Sequence, residues 1–381
     1  MTRSGRKFSS IALRAGLVLA ATLGAGLADA PADRDPARLV GAGRFREAAG
    51  LLEATPAASA AGTEGRVLLG RAYLGLGRYD EAAVALEPPG PARAEPDRLE
   101  ALARVAEARG ELDRALDLMA RAVEERRKSL PSAESLDGSA VLADARTLLA
   151  ALAFRAGKLD LAKDQFGKAI AAIGEAHARL HAQDIPHDER DPRLAAIGAT
   201  AGLARVYGAM SDPARAERGW RSVMARTDDP SILADVAAFY EARSDIKTAR
   251  RHRERALKLA AGKPACRRTR ALLLAERPEG LDEALALAEA AFADGPDIAA
   301  RDALAWVLHR RGEDARAREV IRPALELGTR DPTVLFHAGV IAQARGDAAE
   351  ARRLLAACLE RNPGFDPVAG PEASKRLQDL R

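Results

Sequence analysis

The sequence predicts an all-α solenoid of about nine helix–turn–helix repeats, on three observations. Nine alanines recur along the chain: Ala48, Ala82, Ala115, Ala162, Ala216, Ala249, Ala284, Ala317 and Ala351. Their gaps are 34, 33, 47, 54, 33, 35, 33 and 34 residues, and six of them fall within one residue of the ~34-residue period of a helical-hairpin repeat. Five residues before each alanine stands a turn residue: Gly43, Gly77, Gly110, Gly157, Gly312 and Gly346, with Ser211, Ser244 and Glu279 at the other three places. Four residues after it stands a large apolar residue in seven of nine repeats: Leu52, Leu86, Met119, Phe166, Trp220, Ile321 and Leu355. Arg253 and Ala288 take the two remaining places. Alanine, leucine and arginine dominate the composition and favour helix. The chain has one asparagine, Asn362, and no alternating stretch that reads as a strand.

Taken in order, residues 1–30 read as a secretory signal peptide. Arg3, Arg6, Lys7 and Arg14 make a basic start, Ala15 to Ala28 an apolar stretch, and Ala28-Asp29-Ala30 a small-residue cleavage site. The apolar run of 14 residues is too short for a membrane-spanning helix, which needs ~20. The solenoid follows over residues 31–371. Pro36 shortens the first helix.

Repeat two, Gly70 to Leu86, shows the unit best. Gly77 ends its first helix, Asp80 and Glu81 open the second at the positive end of the helix dipole, and small Ala82 lets the two helices approach. The two long gaps are insertions between repeats, around Ser129–Ser139 and His177–Pro192. They enlarge the middle of the array, near residues 129–142 and 175–195, as longer helices plus a loop. Pro213 sits in the turn of repeat five, and Arg277-Pro278-Glu279 replaces a glycine turn in repeat seven, so both repeats are expected to be distorted. A polar helix over 372–381 is expected to cap the open end.

On these residues, from about Ala37 to Pro363, the chain resembles the tetratricopeptide-repeat family. The order small, aromatic, glycine, aromatic, alanine, large is carried most fully by Gly70, Tyr73, Gly77, Tyr79, Ala82 and Leu86. The resemblance implies a right-handed superhelix whose first helices line a concave binding face, with protein or peptide as partner. Relatives that clamp a terminal carboxylate do so with asparagines that are absent here.

The formal charge of +4 falls to +1 once residues 1–30 are removed, so net charge gives no reason to expect nucleic acid. Cys266 and Cys358 stand in repeats seven and nine, too far apart in a stacked array for a disulfide, and read as free structural thiols. No nucleophile motif, metalloprotease motif or phosphate-binding glycine loop occurs, so neither catalysis nor a cofactor is expected. His177 and His181 share a helix face with Asp184, His187, Asp188 and Glu189 beyond them, but without a third fixed ligand no metal is expected.

Two surfaces are candidates for recognition. Counting six residues before each turn places Arg71, Arg104, Arg205 and Trp306 on the inner row. Trp306, His309, Phe336 and His337 then form either an aromatic anchor for a partner or packed core between repeats. The alternative surface is the run 247–270, with ten basic residues and one acid. Arg250, Arg251, Arg253, Arg255, Arg267 and Arg268 would there meet an anionic envelope polysaccharide or lipid head group, against the plainer reading of a solvated helix face. Together these features predict an exported scaffold, periplasmic or extracellular in a bacterial cell envelope.

Overall fold

The computed structural model describes residues 35–54, 62–89, 94–129, 136–182 and 196–380. The expected signal segment and the greater part of the second insertion, residues 183–195, lie outside the described residues. Among the described residues there are nineteen α-helices and no strand.

Eighteen of the helices form nine hairpins. They are α1 (Pro36–Gly41) with α2 (Phe45–Glu53), α3 (Thr63–Gly75) with α4 (Tyr79–Leu86), and α5 (Glu95–Ala108) with α6 (Leu112–Ser129). Next come α7 (Leu136–Arg155) with α8 (Leu159–Ala182), α9 (Ile197–Ala209) with α10 (Pro213–Met224), and α11 (Pro230–Ala242) with α12 (Ile246–Ala260). The last three are α13 (Arg267–Ala275) with α14 (Leu281–Asp294), α15 (Ile298–Arg310) with α16 (Asp314–Glu326), and α17 (Pro332–Ala344) with α18 (Ala348–Arg361). The last helix, α19 (Ala369–Asp379), packs on α18 and buries Gly370 and Ala373, closing the apolar end of the stack.

Local chemistry accounts for the helix boundaries. Asp35, Asp212, Asp229, Asp245, Asp297, Asp331 and Asp347 each accept a backbone N–H of the helix that follows, which satisfies donors with no partner inside the helix. Pro213 is the first residue of α10, where its missing N–H costs nothing. The expected distortion is thus absent at that turn. Repeat seven does depart from the pattern: a 3₁₀ turn, Pro278–Gly280, replaces the glycine turn. The enlarged middle repeats are long helices, as α6, α7 and α8 run 18, 20 and 24 residues.

Within a hairpin, small and large residues interlock. A Cβ on Gly70 would come within 2.6 Å of Leu86, and one on Gly339 within 2.9 Å of Leu355. The recurring alanines are almost wholly buried, so each second helix lies close against its first. Most successive first helices touch one another, whereas successive second helices make no comparable contact. The first helices therefore form the inner layer. Cys266 and Cys358 are free and buried, and burial pushes the Cys358 thiol up to about 12.

The superhelix closes on itself. The turns of repeats two to four abut the junctions that precede and follow repeats eight and nine, and Ala209 at the end of α9 meets Gly364, so the array forms more than one full turn with its edges in contact. Tyr79 Oη accepts the Ile298 backbone N–H at 3.0 Å, across 219 residues of sequence. Asn362 Nδ2 donates to the Phe154 carbonyl at 2.8 Å, across 208 residues. Arg155 lies between Glu107 at 2.7 Å and Asp331 at 3.7 Å. The backbones themselves meet: a Cβ on Gly77 would lie 2.6 Å from the Pro296 oxygen, and Cβ atoms on Gly110 and Gly157 would overlap the carbonyl oxygens of Gly328 and Arg361. Burial in this seam holds the Tyr79 hydroxyl up to about 12 and keeps the Asp297 and Asp331 carboxyls above their ordinary range.

Candidate interaction surfaces

The inner row carries charged side chains that are already engaged. Arg71 on α3 reaches Asp97 on α5 at 3.4 Å, and Arg104 on α5 reaches Glu100 at 3.1 Å. Arg126 on α6 joins the same two carboxylates at 2.9 and 3.3 Å. The result is a knot of three arginines around two acids. Asp144 on α7 borders it; burial raises its carboxyl to about 6, with Arg126 pulling the other way. Further along, the exposed Arg205 on α9 pairs with Asp235 on α11, whose carboxyl burial holds above its ordinary range. Arg71 and Arg205 therefore tie one first helix to the next. A ligand there must share an arginine with a resident acid, as no bare cation is waiting for it.

The aromatic cluster on α15 and α17 divides between core and surface. Phe336 is 2% exposed and packs on Phe365 and Trp306, with ring centroids 6.0 and 6.1 Å apart. His337 is buried, and its Nδ1–H donates to Asp302 at 2.8 Å. The expectation that these two residues meet a partner is corrected: they join repeat eight to repeat nine from inside. Buried placement of α17 explains it, because nearly every residue from Val334 to Ala342 is covered. Trp306 is half-buried. It stacks on His337 with centroids 4.1 Å apart, points Nε1 toward Glu276 and lies under the Arg310 guanidinium. His309, also half-buried, donates from Nδ1 to Asp314 at 2.6 Å and so braces the turn into α16.

The basic run is largely balanced by acids that its own sequence does not contain. Arg253 pairs with Glu241, Arg267 with Asp294, and Arg270 with Glu283 at 2.5 Å. Arg255 donates to the carbonyls of Met224 and Thr227 and pairs with Asp228, which binds repeat six to repeat five. Arg250 pairs with Glu254 at 2.9 Å, and Arg251 lies against the buried His252. Arg268 is exposed and acts on Asp297 through its charge. As a continuous cationic surface the run is therefore weaker than its composition.

Among the described residues no group of three or more metal-binding side chains gathers, and no helix is long and apolar enough to cross a membrane. His177 lies on α8, while Asp184, His187, Asp188 and Glu189 lie outside the described residues.

Sequence reading missed the seam groups, Tyr79 and Asn362 above all. Tyr79 occupies an ordinary turn position of the repeat. The available signal was Asn362, the only asparagine in the chain, buried to 1% exposure.

Two family models, each of the tetratricopeptide repeat, match residues 63–87 and 333–364. These are the second and ninth hairpins. Among solved structures, the chain is similar to a tetratricopeptide repeat protein from Parabacteroides merdae at 14% identity, covering 75% of this chain and 98% of that one, with a TM-score of 0.37. It is similar to yeast Tom70 at 13% identity, covering 92% and 90%, with a TM-score of 0.35. It is also similar to pilF of Pseudomonas aeruginosa at 16% identity, covering 64% and 97%, with a TM-score of 0.32. No curated protein sequence matches the chain.

Proposed function

We propose, for a chain that is a tetratricopeptide-repeat protein, the work of an exported, non-catalytic scaffold that holds a protein segment against its inner layer of first helices. One observation carries the reading. Trp306 keeps part of its indole open on that layer, while the aromatic rings behind it are locked into core. A half-buried tryptophan on a rigid platform is a strong anchor, because it gives a large contact area at little loss of side-chain freedom. Arg71, Arg104 and Arg205 stand on first helices of earlier repeats. Their acid partners fix their orientation, and a second acid from a peptide could share each fork. The segment that suits this surface is extended, with an apolar residue for Trp306 and acidic residues elsewhere.

The test is affinity capture from a cell-envelope extract, with protein purified from expression of the full chain as bait. A Trp306→Ala variant serves as the comparison, and each capture is repeated in high salt. The scaffold reading expects specific proteins on the native bait that persist in salt and are lost from the variant. If both baits recover the same material and salt removes it from both, the inner-layer reading fails and the basic run 247–270 becomes the binding surface. Export is checked separately, by N-terminal sequencing of the secreted protein, which should begin at Pro31.

A further inference from the structure

The seam holds a half-open cavity of about 330 Å³ between the turns of repeats three and four on one side and the ends of repeats eight and nine on the other. It lies between two of the backbone contacts already described, Gly110 against Gly328 and Gly157 against Arg361. Four cations line it: Arg114 and Lys158 from the first superhelical turn, Arg330 and Arg361 from the second. Two acids line it as well, Glu111 and Asp113. Arg114 is held by Glu111 at 2.8 Å. Among the described residues Lys158, Arg330 and Arg361 have no ion pair, and of the acids that line the cavity Asp113 alone is left to set against them.

This is unusual for this seam. Its other arginines have acids across or beside the joint: Arg109 has Asp80, and Arg155 has Glu107 and Asp331. Around the cavity, closure instead gathers like charges from the two turns, and that is unfavourable without a counter-charge. The shape of the charge matters too. Two guanidinium groups and an ammonium line one pocket from the two superhelical turns, with Arg361 half-buried and Lys158 and Arg330 exposed, a set of donors that suits a multivalent oxyanion. The start of α6 adds backbone donors, since the first helical bond there runs from Ala115 to Glu111 and leaves the preceding N–H groups of the helix without a backbone acceptor. The volume sits at the low end of the ~300–1,000 Å³ range of small-molecule sites.

We propose that this cavity binds a phosphate-class oxyanion, and that the anion latches the closed superhelix by bridging Lys158 on the first turn to Arg330 and Arg361 on the second. Such a ligand binds the closed form and not the open one, so it stabilises closure in proportion to its concentration. The inference stands apart from the inner-layer reading, as it involves neither Trp306 nor the inner arginines.

The experiment measures thermal unfolding of the full chain against inorganic phosphate and against pyrophosphate, with chloride at matched ionic strength as control. The native protein should show a saturable rise in Tm with either phosphate species and none with chloride. A response to both probes assigns the site to the oxyanion itself, and a response to pyrophosphate alone assigns it to a larger phosphate compound; either outcome supports the proposal. An Arg330→Ala, Arg361→Ala double variant should need roughly tenfold more ligand or show no saturation. It should also be at least as stable as the native protein when phosphate is absent, because two mutually repelling charges are gone. Arg352→Ala, which removes an exposed cation of α18 away from the cavity, should respond as the native protein does. The proposal is overturned if phosphate and chloride act alike, if the double variant keeps the native response, if Arg352→Ala loses it equally, or if the double variant is destabilised without phosphate.

Discussion

Gly110 and Gly312 occupy the same place in their repeats and nearly the same backbone conformation, with φ of +73° and +79°. Around Gly312 there is nothing within 4 Å of where a Cβ would be, whereas at Gly110 a Cβ would overlap the Gly328 carbonyl oxygen. The first glycine does two things: it turns the chain and it lets a second layer of superhelix approach. The second only turns the chain. Repeats five and six sharpen the contrast, since Ser211 and Ser244 take φ of 60° and 62° at the same place. A serine is therefore sterically possible in this turn where nothing lies on top of it. A motif residue read as a hairpin signal is, over repeats two to four, also the contact surface of the seam.

The largest expected effect breaks this comparison directly. Gly110→Ala should cost about 2–4 kcal/mol and open the seam, seen as a rise in the radius of gyration by solution scattering. Gly312→Ala should cost only the ~1–2 kcal/mol of a left-handed alanine and leave the radius unchanged. Equal losses in the two variants would mean that the seam contributes nothing.

Next comes Asn362→Ala. It removes the bond to the Phe154 carbonyl and the one that Oδ1 accepts from Gly364. A loss of about 1–3 kcal/mol is expected in chemical denaturation, with faster amide exchange in the loop after α18. A change below a few tenths of a kcal/mol would show that water replaces the amide without cost.

A third variant separates the inner knot from the seam by pH. Burial raises the Asp144 carboxyl from its ordinary 3.8 to about 6, so the folded protein prefers it protonated. Its contribution to stability is complete below about pH 4, declines as pH rises through 6, and is flat above. Asp144→Asn should therefore stabilise the protein by roughly 1–2 kcal/mol at pH 8, discounted for the partial exposure of the group, and by nothing at pH 4. A gain that is the same at both pH values would place the effect in packing and not in charge.

The smallest effect tests the other side of the opening contrast. Ser211→Gly, in an open turn, should stabilise by about 0.5 kcal/mol, as relief of left-handed strain slightly exceeds the added freedom of the unfolded chain. A thermal melt that shows destabilisation would reveal a contact made by the serine side chain.

The hairpins were legible because everything that makes them lies within one period of sequence. Ala82 needs Gly77 five residues before it and Leu86 four after it, and spacing displays both. The seam was illegible because its partners stand more than 200 residues apart. Nothing in the local pattern of Tyr79 announces Ile298. The aromatic cluster stayed open between anchor and core for a different reason. Placing Phe336 and His337 on a helix face required knowing how many sides of α17 are covered, and α15, α16, α18 and the chain around Phe365 leave almost none open. The basic run misled by arithmetic: Asp228, Glu241, Glu283 and Asp294 neutralise it from outside its own boundaries.

A linear stack of hairpins is a chain of neighbours, and such a chain can unravel from either end one unit at a time. The hydrogen bond from Ile298 to Tyr79, spanning 219 residues, changes that topology. It adds contacts of very long sequence separation to a molecule otherwise built from short ones, and such contacts form slowly. Refolding should therefore show a fast phase, in which helices pair locally, and a later closure that native circular dichroism barely registers. Once closed, the N-terminal repeats can no longer fray independently of repeats eight and nine, and the ends of the array unfold together.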